Sequence, residues 1–357
     1  MLPILLLTLA LLSACGGDSD PAGPAGDTAD RVVAGVDFAP LFAPPTADEL
    51  QAVRGDWAAR DVAARNVETL LETPLVLGTT PATLRIVAHQ VAGIRHVGAV
   101  LAPDAAPGSL PVLVYNHGGD DGIDISEVLL ITLALEELRD RFVYVVPALR
   151  AQALSFNGTD YVSGGGPSPW DLDVDDTLAL LNVALETTPA ADPARVATLG
   201  FSSGAGISLL MAVRDSRVKA VIDYFGPTDF LAPYLQDVVA EALEGRPRDL
   251  PYIDFLSSDI VQPVLEGGLS ADELRFELIR RSTVYFAEAL PAVQAHHGID
   301  DDTIPYSQTQ LLIDAMEGRA DFESFLYEGG GHHPLTIPES LPRVRAFLQA
   351  ALFDEGA

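Results

Sequence analysis

From about residue 111 to residue 352, short and mostly apolar runs alternate with stretches whose apolar residues recur at helical spacing. Val112–Tyr115, Phe142–Val146, Val196–Leu199 and Val218–Phe225 have the length and content of buried strands. Between the first two, Val128, Ile131, Thr132, Leu135 and Leu138 fall on one helical face. Val174, Leu178, Leu181 and Leu185 mark a second helix, and residues 203–213 a third. The alternation resumes with a strand at Ala292–Ala295, a helix around Gln308–Met316, a strand at Phe322–Tyr327 and a helix near Arg343–Leu352. Upstream, Thr83–His89 and Ile94–Leu101 read as strands joined through the turn-prone Ala92-Gly93. Thr46 with Glu49 three residues on predicts a capping box that opens a helix and leads into an arm before the core. Short apolar strands separated by amphipathic helices predict an α/β fold, a mostly parallel sheet covered on both faces. The span from about Pro227 to Ala289 breaks the rhythm after the sixth core strand. Rich in Leu, Tyr and Phe, with a second capping box at Ser270 and Glu273, it reads as a helical insertion over the C-terminal edge of the sheet.

The first residues add a different signal. Leu2–Leu12 is an apolar run too short to span a bilayer, which takes about 20 residues, but suited to the core of a secretory signal. Leu12-Ser13-Ala14-Cys15 resembles the lipobox of bacterial lipoproteins. That resemblance implies cleavage before Cys15, lipidation of its sulfur and a place in the bacterial cell envelope. Cys15 is the only cysteine, so no intramolecular disulfide is available to it. The Gly-, Pro- and Asp-rich residues that follow read as a tether. The expected organisation is a signal peptide at 1–14, a lipidated cysteine and flexible tether at 15–45, a helical arm with the first strands at 46–110, and the main domain at 111–357.

Apolar residues make up 48% of the 357, enough for a large core. Asp and Glu number 51 against 21 Lys and Arg, a formal net charge of −30. This balance argues against nucleic acid, whose phosphates attract cationic faces, and against a basic patch on anionic lipid. Membrane contact is therefore expected through the anchor alone.

The candidate chemistry begins at Gly200-Phe201-Ser202-Ser203-Gly204. This G-x-S-x-G sequence follows the strand Val196–Leu199 and precedes a helix, a context in which a sharp turn exposes the serine hydroxyl. A serine hydroxyl is a weak nucleophile and needs a base oriented by a third group. Two later loops supply candidates. His297-Gly298-Ile299-Asp300-Asp301-Asp302-Thr303-Ile304-Pro305 follows the strand Ala292–Ala295, and Gly329-Gly330-Gly331-His332-His333 follows Phe322–Tyr327. Asn116-His117-Gly118-Gly119-Asp120 leaves the strand Val112–Tyr115 and has the glycines of an oxyanion-binding loop, in which the N–H of Gly119 or Gly118 would act with that of Ser203. His117 in that loop reads as structural. The adjacent pairs His296-His297 and His332-His333 lack the i, i+4 spacing of a helical zinc motif, and no metal or other cofactor is expected.

On these residues the chain resembles the catalytic domain of the prolyl oligopeptidase group of α/β-hydrolases and their esterase relatives. Strand, His297, Gly298, Asp301, Ile304 and Pro305 match that group's acid loop, and Gly331-His332 its histidine turn. Asp192-Pro193-Ala194-Arg195-Val196, leading into the serine, is similar too. The likeness runs from about Pro111 to Leu352 and is weakest in the insertion. It implies an α/β-hydrolase fold with Ser202, Asp301 and His332 as catalytic residues. Register favours Asp301 over Asp300 and Asp302, and His332 over His333. The 96 residues from Cys15 to Leu110 cannot hold a β-propeller, which takes about 4–8 blades of roughly 40–50 residues each. The expected activity is cleavage of esters of small uncharged or weakly cationic molecules. A compact peptidase acting on short peptides, and a non-catalytic lipid-anchored binding protein, stand as alternatives.

Overall fold

The structure, a computed structural model, describes residues 31–354. Helix α1, Ala47–Ala59, opens with the expected box: Thr46 Oγ1 accepts from the Glu49 N–H while the Glu49 carboxylate accepts from the Thr46 N–H. Strands β1 (Arg65–Leu77), β2 (Thr80–Val91) and β3 (Ile94–Pro103) form an antiparallel meander. Then come β4 (Leu110–Asn116), α2 (Ile125–Ala134), β5 (Val143–Ala148), α3 (Leu172–Thr187), β6 (Ala191–Phe201), α4 (Ser203–Arg214) and β7 (Val218–Tyr224). The insertion carries α5 (Pro233–Leu243), a π-helical segment at Leu256–Val261 and α6 (Ala271–Ile279). Strand β8 (Ala292–Gly298), α7 (Ser307–Ala315), β9 (Phe322–Tyr327) and α8 (Ser340–Leu352) complete the core.

The nine strands pair in the order β9-β8-β7-β6-β4-β5-β3-β2-β1. From β5 to β9 every pairing is parallel, and β3, β2 and β1 add antiparallel strands at one edge. The inner strands β4, β5 and β7 are almost entirely buried, as continuous apolar runs covered on both faces require. Apolar side chains of the two sheet faces head separate clusters. One holds Val112, Val196, Leu181 and Ile207, and the other Leu113, Tyr115, Leu199 and Val344. This is the α/β-hydrolase fold.

Two differences from the sequence reading have physical causes. Strand β1 was not expected, because at the sheet's edge its first five residues are all exposed and only Leu71, Thr73, Leu75 and Leu77 alternate inward. It makes the insertion follow the seventh strand in chain order, which is the sixth of those legible in the sequence. The stretch read as tether also ends early. Phe38, Leu41 and Phe42 are buried, and the Arg275 guanidinium of α6 donates to the Leu41 and Ala43 carbonyls at 2.8 Å each. Proline and glycine make up ten of the 31 residues from 15 to 45, but Phe38, Leu41 and Phe42 have a surface to bury against. The signal peptide, Cys15 and the rest of the tether lie outside the described residues.

Candidate active site

Ser202 sits between the end of β6 and the first residue of α4 with φ 53° and ψ −122°, a conformation unfavourable to any residue with a Cβ. Its N–H donates to the Tyr224 carbonyl at 2.9 Å, which ties the turn to β7. The glycines on either side are obligatory. A Cβ on Gly200 would lie 2.2 Å from the Gly204 carbonyl oxygen, and one on Gly204 would lie 2.1 Å from that of Asn116. The turn is thus closed against itself and against the loop after β4.

The Ser202 hydroxyl donates to His332 Nε2 at 2.9 Å, and His332 Nδ1–H donates to Asp301 Oδ2 at 2.7 Å. The three residues leave the C-terminal ends of β6, β9 and β8, where parallel strands of such sheets present ligand-binding loops. Asp301 is fixed from both sides. Its Oδ1 accepts the Thr303 and Ile304 N–H groups at 2.9 Å each, and His297 Nε2 lies 3.2 Å from Oδ2. Burial by itself would raise the Asp301 carboxyl. Hydrogen bonds from His297 and His332 outweigh it and bring the group down to about 2, so it is ionised at neutral pH. The His297 Nε2 also faces the Ile304 carbonyl at 2.8 Å, which can only accept, so that nitrogen carries the proton. The Thr309 hydroxyl then donates to Nδ1 at 2.7 Å. The ring of His332 rests on Phe225 with centroids 4.5 Å apart.

The competing residues lie elsewhere. Asp300 and Asp302 are exposed, and His333 turns outward to cap Leu335 with its Nδ1, 3.1 Å from that N–H. His117 is buried under its own loop, where Nδ1–H donates to the Gly118 carbonyl at 3.0 Å, and burial lowers its basicity. That loop runs against the serine: a Cβ on Gly118 would stand 3.0 Å from the Phe201 carbonyl oxygen and 3.2 Å from Ser202 Cβ. Gly119 has φ +72°, and its carbonyl accepts the Ser203 hydroxyl at 3.2 Å. As the first residue of α4, Ser203 has an N–H in the turn whose donors lack helical partners.

Several contributors were not picked out from sequence. His297 served only as a marker of the acid loop, yet it helps hold Asp301. Asp120 of the loop after β4 accepts the Tyr252 N–H of the insertion at 2.8 Å, and the Tyr234 hydroxyl donates to the Thr303 carbonyl. The insertion therefore touches both neighbouring loops. It also walls a pocket that opens at Ser202 and Ser203, lined by Trp170, Phe230, Leu235, Val239, Phe255 and Leu256 among others. Trp170 donates its indole N–H to the Ser203 carbonyl at 2.9 Å and packs on Phe230 and Tyr252 at 4.9 and 5.4 Å. An apolar run in an insertion gives no sign of whether it faces sheet or cavity, so this lining was not readable in advance.

The strand order, the strained turn after β6 and the loops that meet there define an α/β-hydrolase fold. Solved structures with this fold include a puromycin-hydrolysing peptidase of Mycobacterium tuberculosis, 24% identical with a TM-score of 0.56, covering 80% of this chain and 41% of that one. Acetyl xylan esterase 1 of a Thermoanaerobacterium species is 18% identical with a TM-score of 0.57, covering 86% and 95% of the two chains. An acetyl xylan esterase of a Paenibacillus species is 20% identical with a TM-score of 0.57, covering 87% and 96%. In sequence, a probable 1-alkyl-2-acetylglycerophosphocholine esterase of Arthroderma benhamiae is 28% identical over 159 residues. That match takes in 41% of this chain and 37% of the esterase's length. No protein-family model matches the chain.

Proposed function

We propose that the chain is a serine hydrolase that cleaves carboxylic esters through Ser202, His332 and Asp301. The observation that carries this reading is the unbroken relay of hydrogen bonds from the Ser202 hydroxyl through His332 to a buried, ionised Asp301. His332 Nε2 takes the hydroxyl proton as Oγ attacks the ester carbonyl carbon. Asp301 keeps the Nδ1–H tautomer in place and stabilises the imidazolium that forms. The N–H groups of Ser203 and of Gly118 or Gly119 receive the developing oxyanion, a contribution of about 2.7–4 kcal/mol per donor in serine hydrolases. His332 then returns the proton to the leaving alcohol, and water releases the acid from Ser202 by the same path reversed.

The pocket favours esters over peptides with a free amino terminus. Its one carboxylate, Glu277, is already paired with Arg280 at 2.6 Å and with Arg281, so no unpaired acid lines it to receive an ammonium group. A fluorophosphonate probe should label the protein and leave Ser202→Ala unlabelled. Labelling that persists in the variant would refute the assignment. Hydrolysis of aminoacyl p-nitroanilides at a kcat/KM comparable to that for p-nitrophenyl esters would favour the peptidase reading instead. Attachment to the bacterial envelope through Cys15 belongs to the same proposal and rests on the lipobox-like residues 12–15. Cys15→Ser should move the protein from the detergent phase to the aqueous phase in detergent partitioning.

A further inference from the structure

Resting on that reading of the site, we propose that Asp120 and Tyr252 are positioning residues for the oxyanion donors, a brace that locks the loop after β4 to the turn after β6. The N–H groups that receive the oxyanion come from separate segments, Gly118 or Gly119 on that loop and Ser203 at the head of α4. Their convergence on one oxygen depends on how the loop is held. It is fixed where Gly118 packs on the Phe201 carbonyl and where Gly122 packs on Ala153. Between them Gly119, at φ +72°, leaves the backbone free to swing. The Ser203 hydroxyl reaches the Gly119 carbonyl only at 3.2 Å, long for a hydrogen bond between two oxygens.

The stronger hold comes from the insertion. Asp120 Oδ2 accepts the Tyr252 N–H at 2.8 Å, a distance typical of a carboxylate acceptor. A particular turn aims that N–H. The Ile253 N–H donates to the Leu250 carbonyl at 3.1 Å, closing a β-turn with Pro251 second and Tyr252 third. Tyr252 takes φ 62° and ψ 12°, a left-handed conformation that favours glycine or asparagine at this turn position. Glycine would sit there without strain, so what the tyrosine adds is its side chain.

That side chain points back to the other donor. Its hydroxyl accepts from Gln152 Nε2 at 2.8 Å and lies beside the Ser203 side chain, while its ring meets Trp170 edge-on at 5.4 Å. Trp170, also left-handed at φ 57°, donates its indole N–H to the Ser203 carbonyl at 2.9 Å. The contacts close a ring from Gly119 to Ser203, Trp170, Tyr252 and Asp120, and back along the chain to Gly119. Asp120 and Tyr252 thus act through the donors they place.

The test uses p-nitrophenyl butyrate together with a trifluoromethyl ketone. The ketone's carbonyl carbon bonds Ser202 Oγ, the hydroxyl proton passes to His332, and the carbonyl oxygen becomes an oxyanion. Asp120 is exposed, so Asp120→Ala removes its bond without opening a core cavity. A misplacement of about 1 Å can cost about 10²-fold, so this variant should lower kcat about 10- to 100-fold with KM within about threefold. The Ki of the ketone should rise by the factor that kcat/KM falls. Asp120→Asn keeps an acceptor for the Tyr252 N–H and should restore kcat to within about threefold of the unaltered protein. Tyr252→Phe keeps ring and N–H and should lower kcat by about three- to tenfold, and by less when added to Asp120→Ala, since both loosen one brace. An unchanged kcat in Asp120→Ala, a loss carried by KM while Ki holds, or factors that simply multiply in the double variant would each overturn the proposal. If the fluorophosphonate probe fails to label the unaltered protein, the hydrolase reading falls first. If it labels and the variants turn over esters as the unaltered protein does, the brace falls alone.

Discussion

Replacing Ser202 by glycine should give a more stable protein than replacing it by alanine, although both variants lose the nucleophile. At φ 53° and ψ −122° a Cβ is held in a region that costs about 1–3 kcal/mol, and glycine has no Cβ to strain. Both substitutions remove Oγ and its hydrogen bond to His332, so that loss cancels in the comparison. Against the relief stands the greater freedom of glycine in the unfolded chain, about 0.4–1 kcal/mol. The difference should therefore be about 0.5–2 kcal/mol in favour of glycine. With an unfolding entropy of roughly 2.1 cal/mol/K per residue over the described domain, this corresponds to a Tm about 1–3 °C higher. Calorimetry of the two purified variants at one scan rate and pH measures it. A glycine variant that melts at or below the alanine variant would mean that the turn stores no strain, and that the exposure of the hydroxyl has another origin.

Other consequences are equally open to measurement. Asp301→Asn should cut kcat on a p-nitrophenyl ester by about 10⁴-fold, because an amide can hold His332 in the wrong tautomer; a loss under tenfold would remove Asp301 from the relay. Gly204→Ala would drive a Cβ to 2.1 and 2.4 Å from the Asn116 and His117 carbonyl oxygens, so stability should fall by about 3 kcal/mol or more in urea unfolding. Buried carboxyls contribute to the pH dependence of stability with opposed signs. Asp301, depressed to about 2, contributes stability that is complete above the unfolded value near 4 and is lost as pH falls from about 4 to 2. Asp173 is buried with Oδ2 unpartnered, and burial raises it to about 8, so the folded state holds a proton that the unfolded chain releases above about 4. Its contribution therefore declines as pH rises from about 4 to 8. Burial raises Asp176 to about 7 and Asp223 to about 6 in the same sense, so Asp173→Asn should reduce, without removing, the fall of urea midpoints between pH 5 and 8.

What could be read in advance follows from where the chain is most constrained. The strand Val218–Tyr224 and the turn around Ser202 were legible because a buried parallel strand and a glycine-flanked elbow admit few residue types. The register choices at Asp301 and His332 rested on resemblance, and the folded backbone brings these two side chains within hydrogen-bond distance of one another, with His332 also at Ser202. By contrast, β1 begins with five exposed residues and carries Pro74 within the alternating stretch Leu71–Leu77, so its sequence does not read as a strand. The pocket was illegible for another reason. Phe230, Leu235 and Leu256 have the same composition whether they fill a core or border a cavity, and only tertiary packing separates the two outcomes. His297 falls between these cases, because its place in the acid loop was visible while its bond to Asp301 needed the folded backbone.

The insertion meets the loops of the site at two points, the Tyr252 N–H on Asp120 and the Tyr234 hydroxyl on the Thr303 carbonyl. It is also tied to the rest of the chain by Arg275 on the Leu41 and Ala43 carbonyls and by the Thr228 N–H and hydroxyl on Gln308. Descent with modification can therefore remodel the side chains between these fastenings while the turn and loops around Ser202 are inherited intact. A grafting experiment could use the same seam, exchanging the segment between β7 and β8 for a foreign cap that keeps these donors. The scaffold and its selectivity would then behave as two separately replaceable parts of one polypeptide.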